Sequence, residues 1–227
     1  MKKLVFYLAV GFMISFLSGC DLDDEGYYLN DSWMGLGLIQ KDTVSENFTI
    51  ELDNGVVLSP VNNSGWWREV KDNQRVLVNY TIIGDKNNTE NTEQYSVRIN
   101  SLSNILYKGI FNITPEIEDS IGNDPIHVKD LWLKKNMLNF ELQYRGGSKI
   151  HFINLVKQTM ASANANDPVI LELRHNNKGD QEMIPLSAVV TFDLSSLKVV
   201  GKTSISFKVT AKDFDGKNFE YTGEYKY

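Results

Sequence analysis

The chain has 227 residues, 42% of them hydrophobic and 23% charged, with 29 acidic side chains against 23 basic ones and a formal charge of −6. An acidic surface repels phosphate backbones, which argues against nucleic-acid binding, and a single cysteine leaves no disulfide within one chain. The apolar content is ordinary for a globular protein, and this length makes one large domain or two small ones.

The first element reads as a secretory signal. Lys2 and Lys3 precede an apolar run of 14 residues from Leu4 to Leu17, well short of the roughly 20 that a membrane-spanning helix needs. A charged start, a short apolar middle and a small-residue exit mark a signal peptide. The run ends in Leu17-Ser18-Gly19-Cys20, small residues ahead of a cysteine whose thiol receives diacylglycerol. Residues 1–19 are therefore the predicted lipoprotein signal peptide and Cys20 the lipidation site, anchoring the chain to a membrane through its acyl groups. Cleavage removes Lys2 and Lys3 and takes the formal charge from −6 to −8. Residues 20–31 form an acidic tether. Its start, Asp21-Leu22-Asp23-Asp24-Glu25, resembles the acidic export tag of surface lipoproteins in the Bacteroides group. The expected location is the outer membrane, lipid-anchored, at the cell surface.

Residues 32–110 read as a first β domain. Met34 to Gln40 is a glycine-containing strand, and glycines inside strands often mark a bend or bulge. Phe48 to Leu52 alternates, Asp53-Asn54-Gly55 follows and Val56-Val57-Leu58 resumes. Asn-Gly between two such runs predicts a hairpin with a type I′ turn. Val76, Val78, Tyr80 and Ile82 share one strand face, and Tyr95, Val97 and Ile99 another. Ile105-Leu106-Tyr107 closes the domain. About five short strands suggest a small closed barrel of OB type, and no window shows a 3.6-residue period. Residues 111–122, with Pro115 and no alternation, read as a linker. Gly122-Asn123-Asp124-Pro125 then breaks the chain, and residues 123–227 hold seven strands, whose one-sided apolar faces predict an antiparallel β-sandwich.

The lipobox, Leu52-Asp53-Asn54-Gly55, Gln74-Arg75-Val76, Ile105-Leu106, Gly122-Asn123-Asp124-Pro125-Ile126, Leu138-Asn139-Phe140, and Leu173-Arg174-His175-Asn176 with Gly179-Asp180, taken in order, resemble the NigD-like lipoproteins. The resemblance covers nearly all of the chain beyond the signal. It implies an OB-type domain followed by a C-terminal β-sandwich, and a bacteriocin-immunity-like role. It brings no catalytic or binding residues.

Three histidines lie in the second domain. Alternation turns His127 to solvent and puts His175 at the end of the Val169, Leu171, Leu173 face, with His151 a possible neighbour in the same sheet. Zinc needs three or four converging ligands, so no metal and no cofactor are expected. Arg174, His175, Asn176 and Asp180 form the richest polar cluster. A histidine beside a carboxylate suggests a general base, but no nucleophile motif accompanies it, and a strand end running into a turn is the simpler reading. Trp66 and Trp67 are the candidate binding residues: strand alternation lets at most one enter a one-sided core, leaving the other to stack on a sugar or anchor a protein. Thr43, in Asp42-Thr43-Val44, and Ser120, in Asp119-Ser120-Ile121, resemble the O-glycosylation acceptor of the Bacteroides group. The sequence thus points to an all-β, lipid-anchored envelope protein that binds an envelope protein or a glycan and is not an enzyme. A surface polysaccharide-binding lipoprotein and a hydrolase using the His175 region are the alternatives.

Overall fold

The computed structural model describes residues 31–61, 64–86, 93–158 and 167–227. The predicted signal peptide, Cys20 and the tether through residue 30 lie outside that set, as do residues 62–63, 87–92 and 159–166. Strands β1 (Trp33–Asp42), β2 (Asn47–Leu52), β3 (Val57–Pro60), β4 (Arg75–Asp85) and β5 (Gln94–Asn104) close a barrel in the order β1-β2-β3-β5-β4. Period-two alternation sends Ile39, Ile50, Leu58, Val76, Val78 and Val97 inward, where all six are fully buried. Gly35 and Gly37 lie on the same inward row of β1. A Cβ on Gly37 would come within 2.5 Å of Ile50 Cγ2 and 3.1 Å of the Glu51 carbonyl oxygen. A narrow barrel has no room there for a side chain, and that is what the glycines supply.

The β2–β3 hairpin forms where predicted, with a different turn. Gly55 N–H donates to Leu52 O and Leu52 N–H to Val56 O. Among the loop residues only Gly55 has positive φ, +93°. This is a type I turn closed by a glycine bulge. A type I′ turn would also need Asn54 at positive φ. Asn54 instead accepts the Val56 N–H.

A short helix, α1 (Ser64–Glu69), connects β3 to β4. At six residues it is too brief to leave a helical period in the sequence. The strand assumed around Trp66 and Trp67 is therefore corrected to a helix.

The chain leaves the barrel earlier than its composition suggests. β6 (Leu106–Gly109) pairs with the second domain, and the segment read as a linker holds β7 (Phe111–Ile113) and α2 (Pro115–Ile121). Alternation shows that a segment is a strand but not which strand it pairs with, so residues 106–109 fitted either domain.

The remaining strands are β8 (His127–Lys134), β9 (Met137–Gly146), β10 (Phe152–Gln158), β11 (Val169–Asn176), β12 (Ile184–Asp193), β13 (Ser204–Lys212) and β14 (Asn218–Lys226). They stack as one sheet ordered β14-β13-β11-β10-β7 on another ordered β6-β12-β9-β8. The antiparallel expectation holds for four ladders; β6–β12, β7–β10 and β11–β13 are parallel. The chain crosses to the other sheet for β12 between β11 and β13, so those two run the same way. Between the sheets lie Phe140, Leu155, Leu173, Phe192, Phe207 and Val209, with Phe140 and Phe192 edge to face at 5.8 Å.

The two domains meet around Arg75, at the start of β4 and pointing out of the barrel. Its side chain has no solvent exposure. Nη1 and Nη2 donate to the two carboxylate oxygens of Asp53 at 2.7 and 2.5 Å. Nη2 also reaches Asn139 Oδ1 on β9 at 2.9 Å, and Nε reaches Thr191 Oγ1 on β12. Thr191 donates to Asn139 Oδ1, and the Trp132 indole N–H donates to Asp53.

Arg75→Ala leaves Asp53 and Asn139 facing a buried gap, and loss of one partner of a buried ion pair costs about 3–5 kcal/mol. The urea-unfolding midpoint is expected to fall accordingly. The Arg75→Met/Asp53→Leu double variant, which leaves no unpaired charge, is expected to lose less. A midpoint unchanged in Arg75→Ala would show that the junction is held elsewhere.

Candidate functional site

The polar cluster lies at the end of the sandwich, where β9 turns into β10 and β11 runs into the 177–183 loop. His175 closes the core-facing row of β11. His151 sits just before β10, which pairs with β11 so that Ile153 lies opposite His175. The two rings approach at 2.9 Å, His151 Nδ1 to His175 Nε2. His175 Nδ1 faces the Pro125 carbonyl oxygen at 3.0 Å, and His151 Nε2 faces Asp180 Oδ2 at 3.1 Å. The side chains of His151 and Asp180 are each only 3% exposed, and His175 is buried. Tyr144 packs on both rings, with centroids 5.0 and 5.2 Å away.

Asp180 is the clamp of this end. Its carboxylate accepts the N–H groups of Gly147 at 2.5 Å and Ser148 at 3.3 Å. The Gly147 N–H above all holds the carboxyl well below its ordinary range; desolvation opposes this, and the His151 contact reinforces it. Burial pushes His175 below the usual imidazole value, against the pull of the Pro125 carbonyl. Every ring nitrogen of the pair faces a partner, so neither imidazole offers a lone pair to a substrate.

The other candidates have separate places. Arg174, on the outer face of β11, pairs with Glu172 at 2.6 Å and Glu118 of α2 at 3.5 Å. Asn176 ties the strand end to α2 through the Ser120 carbonyl and caps the Lys178 N–H. His127 is exposed and pairs with Asp213.

Trp66 and Trp67 both lean on the barrel core, half-buried. Neighbouring helical positions are about 100° apart, so both rings can face the same surface. Lys41 lies over the Trp67 ring at 3.8 Å and donates to the carbonyls of Trp67 and Val70. Thr43 sits in an exposed turn, where Asp42 accepts the Val44 N–H. Ser120 is exposed in α2, with its hydroxyl on the Ile117 carbonyl.

An open polar groove of about 460 Å³ runs along the barrel beside Lys41, Asp42, Asn47, Thr49, Ser59 and Lys86. Among the described residues no group of three or more His, Cys, Asp or Glu side chains is placed to hold a metal, and no helix is long and apolar enough to cross a membrane.

Sequence reasoning singled out His175 and Asp180 and gave His151 as a possible neighbour of His175, but did not join His151 to Asp180 or His175 to Pro125. It missed Arg75, Asp53, Asn139 and Thr191 as a unit. The one signal was an arginine next to the inward row of an apolar strand.

Both domains match family models. Residues 36–105 match the NigD-like N-terminal OB domain, and residues 109–225 match the NigD-like C-terminal beta sandwich domain. No curated protein matches the chain. Among solved structures, a toxin-related protein from Parabacteroides distasonis is 28% identical, with a TM-score of 0.69 over 86% of this chain and 94% of its own. A protein of unknown function from Bacteroides vulgatus is 24% identical, with a TM-score of 0.71 over 87% and 92%. A NigD-like immunity protein from Bacteroides caccae is 22% identical, with a TM-score of 0.65 over 88% and 99%.

Asp180 generates a prediction about acid stability. A carboxyl held low in the folded state stabilises the fold above its unfolded value of about 3.9, and that contribution is lost as pH falls through the folded value. The melting temperature is expected to drop more steeply below about pH 4 in the native chain than in Asp180→Asn. Equal slopes would show that the Asp180 charge does not stabilise this end.

Proposed function

The chain belongs to the NigD-like family, and on that premise we propose that it is a lipid-anchored protein of the outer membrane, exposed at the cell surface. Its role is non-enzymatic, protein-binding or protective, of the bacteriocin-immunity kind. The observation that carries the non-enzymatic reading is the closed circuit of His151, His175 and Asp180. These are the residues best suited to acid–base chemistry, yet they are buried and bonded to one another, with no hydroxyl or thiol among their hydrogen-bond partners within the described residues. That disfavours a hydrolase working through His175. The polysaccharide reading, which relied on Trp66 or Trp67, is weakened as well, since both rings pack half-buried on the barrel core and Lys41 covers a face of Trp67.

The anchor rests on Leu17-Ser18-Gly19-Cys20. A protective role agrees in direction with the description of the Parabacteroides distasonis neighbour as toxin-related. The surface best suited to a protein partner is the loop pair over the polar cluster. There Ile150, Met183 and Ile184 are exposed, beside Arg145, Lys149 and Lys178. On a chain of charge −6, an apolar tip with a basic rim complements an acidic, partly apolar protein surface.

Two measurements test this. Metabolic palmitate labelling and membrane fractionation are expected to mark the native chain and to fail in Cys20→Ala. Crosslinking on intact cells is expected to capture a protein partner with the native chain and with Trp67→Phe, and to lose it with Ile150→Asp/Met183→Asp. Capture insensitive to the tip variant, or retention of polysaccharide alone, would overturn the protein-binding reading.

A further inference from the structure

Three contacts run in series through the sandwich end: Pro125 O to His175 Nδ1, His175 Nε2 to His151 Nδ1, and His151 Nε2 to Asp180 Oδ2, at 3.0, 2.9 and 3.1 Å. Both outer partners are acceptors, a carbonyl and an ionised carboxylate. Each outer contact therefore needs a proton on the ring nitrogen. The central nitrogen–nitrogen contact needs one proton and no more. Three contacts need three protons, whereas two neutral imidazoles carry two. We propose that His151 and His175 together hold one proton beyond neutrality, balanced by Asp180, and that this shared proton is a pH-dependent fastener for the 145–151 and 177–183 loops.

Burial pushes His175 toward the neutral form. The carboxylate that balances the pair's charge lies at the other end of the series, 3.1 Å from His151 Nε2, with the Tyr144 ring 5.0 Å from His151. Removal of the proton sets two lone pairs against each other at 2.9 Å, or turns a lone pair toward the carboxylate. A second added proton sets N–H against N–H. Only the singly charged pair satisfies all three contacts.

The fastener joins four segments. Asp180 holds the connection that carries the chain from β9 in one sheet to β10 in the other through Gly147 and Ser148, and His175 holds the entry segment through Pro125. Other charged groups around the cluster are directed elsewhere. Asp124 accepts the Asn177 N–H and pulls His175 upward without touching His151. Lys149 bonds the carbonyls of Lys178 and Gly179, and the Lys178 ammonium lies over Phe152. Arg145 bonds the Glu182 carbonyl, the Glu182 residue is itself exposed, and Arg174 sits on the outer face with Glu172. Among these described neighbours Asp180 alone pairs with an imidazole nitrogen of the couple as a full charge.

The sign follows from the proton counts. In the unfolded chain two free imidazoles bind one proton between them at about pH 6.5. Above that pH the folded pair keeps more protons than the unfolded chain, so stability falls as pH rises. Below it the unfolded chain takes up the second proton that the folded pair resists, so stability falls on the acid side too. The contribution peaks near pH 6.5, whatever the loops bind.

The test uses the full mature chain in a His127→Gln background, which removes the one exposed imidazole. Long-range proton–nitrogen correlation spectra at pH 6.5 are expected to show three nitrogen-bound protons on the pair, with His175 carrying its proton on Nδ1. Two protons on the pair would overturn the proposal. Hydrogen exchange supplies a second readout. Protection of the Gly147 amide, corrected for intrinsic rates, is expected to fall about tenfold or more from pH 6.5 to 9. In Asp180→Asn that dependence is expected to disappear. Protection independent of pH in the native chain would also overturn the proposal, and both native-chain readouts hold even if the variant fails to fold.

Discussion

A guanidinium with no access to water must have its charge and its N–H groups met inside the protein. Arg75 meets this demand by drawing on both domains at once: Asp53 from the barrel, and Asn139 and Thr191 from the sandwich. The arrangement of the two halves depends on that requirement. A rotation of either domain would leave a charge buried without its partner, so the junction tolerates little slack. Hydrophobic contact alone, which is non-directional, would not select one orientation so sharply.

The same logic recurs at the far end of the sandwich with weaker groups. His151, His175 and Asp180 are buried polar side chains whose hydrogen-bond partners, among the described residues, are one another and the backbone. They fasten turns that have few apolar residues to pack. Above them the loops can present Ile150 and Met183 to solvent without collapsing inward, because polar contacts rather than apolar burial hold the backbone. The molecule thus has an apolar core in each domain and a polar lock at each place where apolar packing runs out.

The short motifs that resemble the family make physical sense in this light. Asp53, Arg75 and Asn139 come from three separate motifs and meet at the domain junction. Pro125, His175 and Asp180 come from two others and meet at the sandwich end. Segments far apart in the chain stand out because their side chains are partners in space. The turn at Asp53-Asn54-Gly55 belongs to the same economy: a type I turn with Gly55 at positive φ lets the Asp53 carboxylate reach Arg75.

Much of the fold was legible because alternation is a local property. The inward rows at Val76, Val78 and Tyr80, the position of the hairpin, and the placement of His175 on a core-facing row and His127 toward solvent all follow from the two-residue period of a strand. The expectation of a signal and of lipidation at Cys20 rests on local features too, charge and small residues in a short window. What alternation cannot express is partnership. It did not show that Leu106–Gly109 pairs with β12, that three sandwich ladders run parallel, or that Trp66 and Trp67 ride on a helix too short to register. It offered His151 as no more than a possible neighbour of His175, and it did not join Arg75 to Asn139. The two histidines lie 24 positions apart in the chain, and Arg75 and Asn139 lie 64 apart. Sequence by itself determined which faces are apolar; only the tertiary structure decided which buried charges meet, because a charge out of water is satisfied by whatever lies within about 3 Å of it and not by its neighbours in the chain.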